Sequence, residues 1–483
     1  MQYVIMVVDN QRTHPLLMKR IKLAVLVGLC SAVLIYFQLF YSLTSVTLAD
    51  DEKIASATLT RFQLKSSDGM VDFKKAQLKS ARMLFQQPTH YPWNVHIADS
   101  DGQSKLESLW KFDNNPNPKI ILTQLYHVRH GKLYGWNPQQ KLLRQHEFYN
   151  LRVRRYEQLI ARSLSFAKYA LANEEQRRID PRVEELSTEP FPFLFAWHDF
   201  VTCREEPYLT GIPFFAFLTF PYLNSEEKCT PLATPTYEQW RKYQNIENST
   251  HWDAVFQKQD EDYTWNHKIQ KAVWRGAATG EKREYPNWND LPRTKLVKLA
   301  VENPAIMDAR FTGFSNRNES EKKEIINFGL VGSRMEMKDY QKYKAIIDID
   351  GNSWSSRFAD LLCMNSLVLK VEPRWMDYFF LELQPWVHYV PVHANMSNLV
   401  EMVTKVTSDD QEIQQQMRQI VINANDWCRS KMTATQLSID MIWIMISYLQ
   451  LLKKDNLRSN FRKWQNVPWN TSQWIEIPYN ISA

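Results

Sequence analysis

The residues at 344–358, KAIIDIDGNSWSSRF, can do chemistry in two ways. Asp348 and Asp350 stand two apart, so on a strand both carboxylates point to one face, an arrangement that can hold the Mn²⁺ or Mg²⁺ of a nucleotide-sugar. Gly351, Asn352, Ser353, Trp354, Ser355 and Ser356, running into Arg357, offer the other route. There, backbone N–H groups and a guanidinium fork would cradle the diphosphate itself. A plain strand-to-helix connection, with Asp350 or Ser353 as cap, is the structural alternative. No P-loop or GxGxxG fingerprint occurs, so neither an ATPase nor an ordinary dinucleotide site is indicated. Arg275 in VWRGAATG precedes small residues, where a backbone can approach a ligand, though an ion pair would also explain it. Arg293 in LPRTKL is less specific. Asp199 in FAWHDF follows an apolar run, where a carboxylate can cap a turn or, facing a cleft, serve as a general base; an isolated acid is more often structural. His127 and His130 in YHVRH have near-ligand spacing but no third ligand nearby, so a plain polar segment is expected there.

These residues need rigid elements behind them. After residue 261 the sequence alternates strand and helix patterns: KAVWRG, YKAIIDIDG, SLVLKVEP and PWVHYVPV read as strands, with SSRFADLLCMN, RWMDYFFLELQ and NLVEMVTKV as helices between them. Such alternation predicts a parallel sheet with crossover helices, whose ligands sit at the carboxyl ends of the strands. Earlier, PFPFLFAWHDF and IPFFAFLTF read as buried strands and YEQLIARSLSFAKYALANEEQRR as a long helix. The polar segment 245–261 is the expected boundary between two domains.

Of the formal charge of +6, half falls in the first 22 residues, so no concentrated basic face suggests nucleic-acid binding. Residues 23–49 carry no charge, and their apolar heart is long enough for one membrane-spanning helix rather than a cleaved signal peptide. Basic residues before it and Asp50, Asp51 and Glu52 after it predict a type II topology, with the bulk of the chain lumenal. Sequons at Asn248, Asn318, Asn395, Asn470 and Asn480 all follow the helix. Cys30 lies within it, and Cys203, Cys229, Cys363 and Cys428 allow two disulfides in an oxidising lumen, Cys203 with Cys229 being the most local pairing. No KDEL-type signal ends the chain, so Golgi residence is expected ahead of the ER membrane.

The motifs VWRGAATG, MDARFTGF, YKAIIDIDGNSWSSRFADLLCMNSLVLK and WMDYFFLELQPWVHYVPV, in that order, resemble glycosyltransferase family 90, which includes capsule-associated and Rumi-like protein O-glucosyltransferases. The resemblance implies an α/β, GT-B-like fold: two Rossmann-like domains facing across a cleft, here behind an N-terminal transmembrane helix. On this reading 1–22 is a cytoplasmic tail, 23–45 the membrane helix and 46–117 a stem. Residues 118–250 form the acceptor-side domain, 251–445 the nucleotide-sugar domain, and 446–483 a tail packing back on the first. It also implies an inverting, metal-free transfer of xylose or glucose from a UDP-sugar to a glycan or glycoprotein acceptor, with no cofactor. Arg275, Arg357 and, less strongly, Arg293 would neutralise the diphosphate, residues 351–356 would supply backbone contacts, and Asp199 would be the base. The family's Asp-Tyr-Pro segment reads Asp199-Phe200-Val201 here. Two other readings stand beside it: a metal-dependent transferase using Asp348 and Asp350, and a non-catalytic lumenal glycan-binding protein of the same fold.

Overall fold

A computed structural model of the protein describes residues 123–136, 147–172, 180–197, 213–219, 230–281, 284–315, 317–453 and 474–479, all within one compact unit, Arg61–Ala483. The expected tail, membrane helix and stem, Asp199, Cys30, Cys203, Cys229 and the sequons at Asn470 and Asn480 lie outside the described residues. Among the described residues no helix is long and apolar enough to cross a membrane.

The first lobe starts with a hairpin, β1 (Thr123–Arg129) and β2 (Lys132–Trp136). His130 and Gly131 join them with φ of 51° and 66°, the left-handed pair that a two-residue hairpin turn requires. YHVRH is therefore a strand end and a turn: His127 is a buried strand residue packed edge-on against Trp474. After α1 (Glu147–Ala172) and α2 (Pro181–Thr188) come β3 (Phe191–Ala196), β4 (Pro213–Ala216) and β5 (Thr230–Ala233). The sheet order is β11-β2-β1-β3-β4-β5, with β11 spanning Trp474–Ile477. Only β3, β4 and β5 run parallel; β1 opposes both of its neighbours and β11 opposes β2. This half-antiparallel sheet departs from the Rossmann-like pattern expected for the lobe.

Every residue of β3 is buried, because both faces of the sheet are covered. One face carries Phe193, Phe195, Phe215 and Phe217 and is covered by Tyr156 of α1, whose ring centroid lies 4.1 Å from that of Phe195. The other carries Leu194, Ala196, Phe214, Ala216 and Leu218, closed by Trp375 from the second lobe.

Two short helices, α3 (Tyr237–Tyr243) and α4 (Thr250–Asp262), lead into the second lobe. The expected boundary segment is thus mostly helix, and Trp252 and Phe256 of α4 are buried with the second lobe's side chains. The lobe runs β6 (Ile269–Ala277), α5 (Pro292–Glu302), β7 (Met307–Gly313), α6 (Glu319–Asn327), β8 (Tyr343–Asp348), α7 (Phe358–Leu362), β9 (Leu367–Val371), β10 (Val390–Val392), α8 (Leu399–Val406) and α9 (Gln411–Lys431). All five strands are parallel in the order β10-β9-β8-β6-β7, so the alternation expected from the sequence is present. From β6 the chain winds first to β7 and then back past β6 to β8, which puts the reversal of strand order between β6 and β8. In open α/β sheets that reversal opens a crevice at the carboxyl ends.

RWMDYFFLELQ is not the expected helix; only a 3₁₀ turn at Phe380–Glu382 forms. Backbone pairing overrides its helical spacing: Thr219 and Met376 exchange N–H···O bonds of 2.9 Å in both directions. Thr219 lies just past the end of β4 and Met376 just past the end of β9, so the carboxyl ends of the two sheets meet at this bridge.

The chain crosses between lobes twice, and Ala434 N–H donates to Ile246 O at 2.7 Å where the crossings pass. Beyond the second crossing, α10 (Ala434–Leu452) buries Ile439, Ile442, Met445, Tyr448 and Leu449 in the first lobe's core, so packing on that lobe begins ahead of the expected 446, while Ala434 and Leu437 pack in the cluster shared with the second lobe. A disulfide, Cys363–Cys428, ties the residue after α7 to α9 with a Cα–Cα distance of 5.6 Å.

Candidate nucleotide-sugar site

Asp348 ends β8 directly across from Lys370 of β9, its register partner. Lys370 Nζ donates to Asp348 Oδ2 at 2.8 Å and to Asp350 Oδ1 at 3.2 Å. Ser355 Oγ donates to Asp348 Oδ1, and Arg374 N–H to Asp350 Oδ2 at 2.9 Å. Each carboxylate is therefore held at both oxygens by groups of the protein. Burial disfavours the Lys370 charge, but Asp348 and Asp350 outweigh it and hold the ammonium above the usual lysine range. Burial pushes the Asp350 carboxyl up, against the pull of Lys370. The acid pair thus works as a buried anchor: Asp348 fixes Ser355 and so sets the course of the loop that follows.

Arg293, in the first turn of α5, is a clamp across the crevice. Its Nε donates to Asp350 O at 2.9 Å and its Nη2 to Ile349 O at 3.3 Å on the β8 side. Nη1 donates to Ala277 O at 3.1 Å and Thr279 Oγ1 at 2.7 Å on the β6 side. The guanidinium lies 5.4 Å over the Trp274 ring. Burial, helped by the nearby Arg357, lowers its pKa to about 10 against the opposing pull of Asp348 and Asp350. Two glycines make room for this stack. A Cβ at Gly276 would come within 2.5 Å of the Trp274 ring, and one at Gly351 within 2.8 Å of Arg293 Nη2.

Arg275 points elsewhere. Its Nη2 pairs with Asp308 Oδ2 at 2.9 Å, Nη1 donates to Asp308 O and Trp274 O, and Nε to Ser333 O, so the side chain is spent on the β7 side. Its carbonyl faces the site instead and accepts from Arg357 Nη1 at 2.8 Å. Arg357 Nη1 also reaches Tyr340 Oη at 3.3 Å. Among the described residues Arg357 Nε and Nη2 donate to no group.

Within the loop, Gly351 N–H is committed to Ser353 O at 3.0 Å. The N–H groups of Asn352, Ser353, Trp354, Ser355 and Ser356 have no acceptor among the described residues. Five consecutive amides without an acceptor, beside a half-used guanidinium, are the kind of donor set from which an anion-binding nest is built. The expected helix N-terminus contributes little, since α7 has five residues and begins only after Arg357. Trp354 pins the loop to the first lobe, its ring 6.4 Å from Phe217, and Phe217 in turn lies 5.9 Å from Trp197. Trp197 is the last described residue before the segment carrying Asp199.

Of the residues expected from the sequence, the structure gathers Arg293, Gly351, Asn352, Ser353, Trp354, Ser355, Ser356 and Arg357, and brings Arg275 in through its backbone alone. Sequence reasoning missed Lys370 and Asp308. A lone lysine inside the apolar run SLVLKV was the available signal, since a buried ammonium demands a carboxylate partner.

A sequence model described as Glycosyl transferase family 90 matches residues 192–463, from β3 to beyond α10 and across the whole crevice. The chain is similar to Protein O-glucosyltransferase 3 of Rattus norvegicus, 34% identical over 163 residues that make up 34% of this chain and 29% of that protein. It is similar to Protein O-glucosyltransferase 1 of Bos taurus, 30% identical over 165 residues, 33% of this chain and 38% of that protein. It is also similar to Protein O-glucosyltransferase 2 of Danio rerio, 33% identical over 148 residues, 31% of this chain and 27% of that protein. The matched part spans about a third of the length of these curated relatives.

Proposed function

Because the chain belongs to glycosyltransferase family 90, we propose that it is an inverting glycosyltransferase that moves glucose or xylose from UDP to a hydroxyl of a protein or glycan. The observation that carries this reading is the nest at 352–356 with Arg357, set at the β6/β8 reversal. Five N–H donors and two free guanidinium nitrogens match a diphosphate, whose charge grows as the sugar–phosphate bond breaks. Donors already in place for that charge lower the barrier without reorganising. Arg293 and the Asp348–Lys370–Asp350 anchor hold the loop, and Arg275 steers Arg357 through its carbonyl.

The names of the relatives favour glucose as donor sugar and protein as acceptor. Asp199 takes the acceptor proton as the hydroxyl oxygen attacks the anomeric carbon. The GT-B reading draws support from the meeting of both sheets' carboxyl ends at Thr219 and Met376. With both acids engaged by Lys370, Ser355 and Arg374, the diphosphate is met by amides and arginine rather than by a metal at Asp348 and Asp350. The proposed setting is a Golgi membrane, type II, with the catalytic part lumenal; a disulfide at Cys363–Cys428 suits an oxidising lumen.

The test is UDP release from a panel of UDP-sugars with protein and glycan acceptors, with and without EDTA. Activity that survives EDTA and falls in Arg357→Ala with unchanged folding supports the reading. Full activity in Arg357→Ala, or abolition by EDTA, overturns the phosphate role given to the loop.

A further inference from the structure

Asp377 is a buried acid that the anchor and the nest leave unused. It is 7% exposed, and its Oδ1 is enclosed with no hydrogen-bond partner. A buried carboxyl without a partner loses the solvation of water and gains nothing in exchange, so native proteins rarely keep one without a use. Its neighbours Trp375 and Met376 are spent on the lobe junction: Trp375 closes the outer face of β3 and β4, and Met376 pairs with Thr219. Tyr378, on its other side, turns toward the Glu382–Lys431–Asp440 cluster.

Asp377 is thus held where the carboxyl ends of β4 and β9 meet. Lys370, Asp348 and Asp350 act on it electrostatically from the second lobe, and Glu238 from the start of α3 in the first. Burial raises its carboxyl well above the usual range, and the three acids add to that effect while Lys370 opposes it. A carboxyl so placed holds its proton more tightly than an exposed one, and in that form it offers one O–H donor and one acceptor oxygen side by side. A pyranose hydroxyl, itself both donor and acceptor, is the complementary partner.

We propose that Asp377 is a sugar-recognition residue, its carboxyl hydrogen-bonding a hydroxyl of the pyranose carried by UDP between the two lobes. The inference rests on the glycosyltransferase reading above. It places the sugar on the first-lobe side of the diphosphate nest, where an acceptor approaching from that lobe would reach the anomeric carbon.

The experiment compares wild type, Asp377→Ala and Asp377→Asn for kcat/KM with UDP-glucose, UDP-xylose and UDP-deoxyglucose donors, alongside inhibition by UDP alone and the melting temperature. In Asp377→Ala, kcat/KM should fall about ten-fold or more, the loss expected when a buried hydrogen bond is left half-made. Inhibition by UDP should stay within two-fold of wild type. One deoxy donor should cost wild type a similar factor and cost Asp377→Ala nothing further. Asp377→Asn keeps the shape and both hydrogen-bonding roles, and should recover most of the activity. Two results overturn the proposal while leaving the glycosyltransferase reading intact: every deoxy donor costs wild type and Asp377→Ala equally, or UDP inhibition weakens in step with kcat/KM. A folded wild type that neither turns over nor binds any UDP-sugar overturns both.

Discussion

Asp348 and Lys370 are register partners on adjacent parallel strands, and their side chains close that register at 2.8 Å in the interior of the second lobe. The pair gives the acid-x-acid motif a structural task, since Asp348 also accepts from Ser355 of the loop that follows. Removing one partner of such a buried pair leaves the other charge uncompensated, which costs more than the pair itself contributes. Lys370→Met should therefore lower stability by about 3–5 kcal/mol, read from denaturant unfolding. The double variant Asp348→Asn/Lys370→Met should recover part of that loss. Equal stability of wild type and Lys370→Met would show that the acids carry no charge.

Gly351 is required by a neighbour rather than by its own backbone. A methyl there would meet Arg293 Nη2 at 2.8 Å, and four hydrogen bonds hold that guanidinium in place. Gly351→Ala should lower stability by about 1–3 kcal/mol, the usual range for overpacking, and weaken UDP binding measured by calorimetry. Arg293→Lys/Gly351→Ala, with a slimmer head group at the clash, should recover the packing but not the clamp.

His127 makes the first lobe acid-sensitive. Burial drives its pKa from the ordinary 6.5 down to about 4, more than offsetting the hydrogen bond to the Val128 carbonyl. The unfolded chain takes up a proton near 6.5 and the folded one only near 4, so stability falls as pH drops through that window. The total loss is at most about 3 kcal/mol. His127→Phe should flatten the wild-type slope between pH 6.5 and 4, measured as unfolding midpoints at a series of pH values. An unchanged slope would place a protonated imidazole in the fold.

The disulfide closes a long loop, with 65 residues separating Cys363 from Cys428. Restricting the unfolded chain over that length is worth roughly 4 kcal/mol in the chain-entropy account. The Cys363→Ala/Cys428→Ala variant should melt well below wild type under non-reducing conditions, and the gap should close when both are reduced.

Much of the second lobe was legible because its signals are local: apolar runs of strand length, glycines at strand ends and helical spacing between them. The roles within the site were less so. Whether 348–357 binds a metal or a phosphate turns on Lys370, some 20 positions further on, and Arg275 looked like a phosphate ligand because its partner Asp308 lies on the next strand. RWMDYFFLELQ has helical spacing, but the backbone that claims Met376 belongs to Thr219, far upstream. The first lobe hid its antiparallel half for a similar reason: alternation alone does not say which way a neighbouring strand runs.

The return of α10 to the first lobe has a consequence for synthesis on the ribosome. Ile442, Met445, Tyr448 and Leu449 are needed to close the core around Tyr156, Phe193 and Phe215, yet they emerge only after all of α9. The second lobe, contiguous in sequence, can collapse first, while the aromatic face of β3 and β4 waits uncovered. That interval leaves an apolar sheet face exposed during synthesis, the kind of surface through which a partly made chain aggregates.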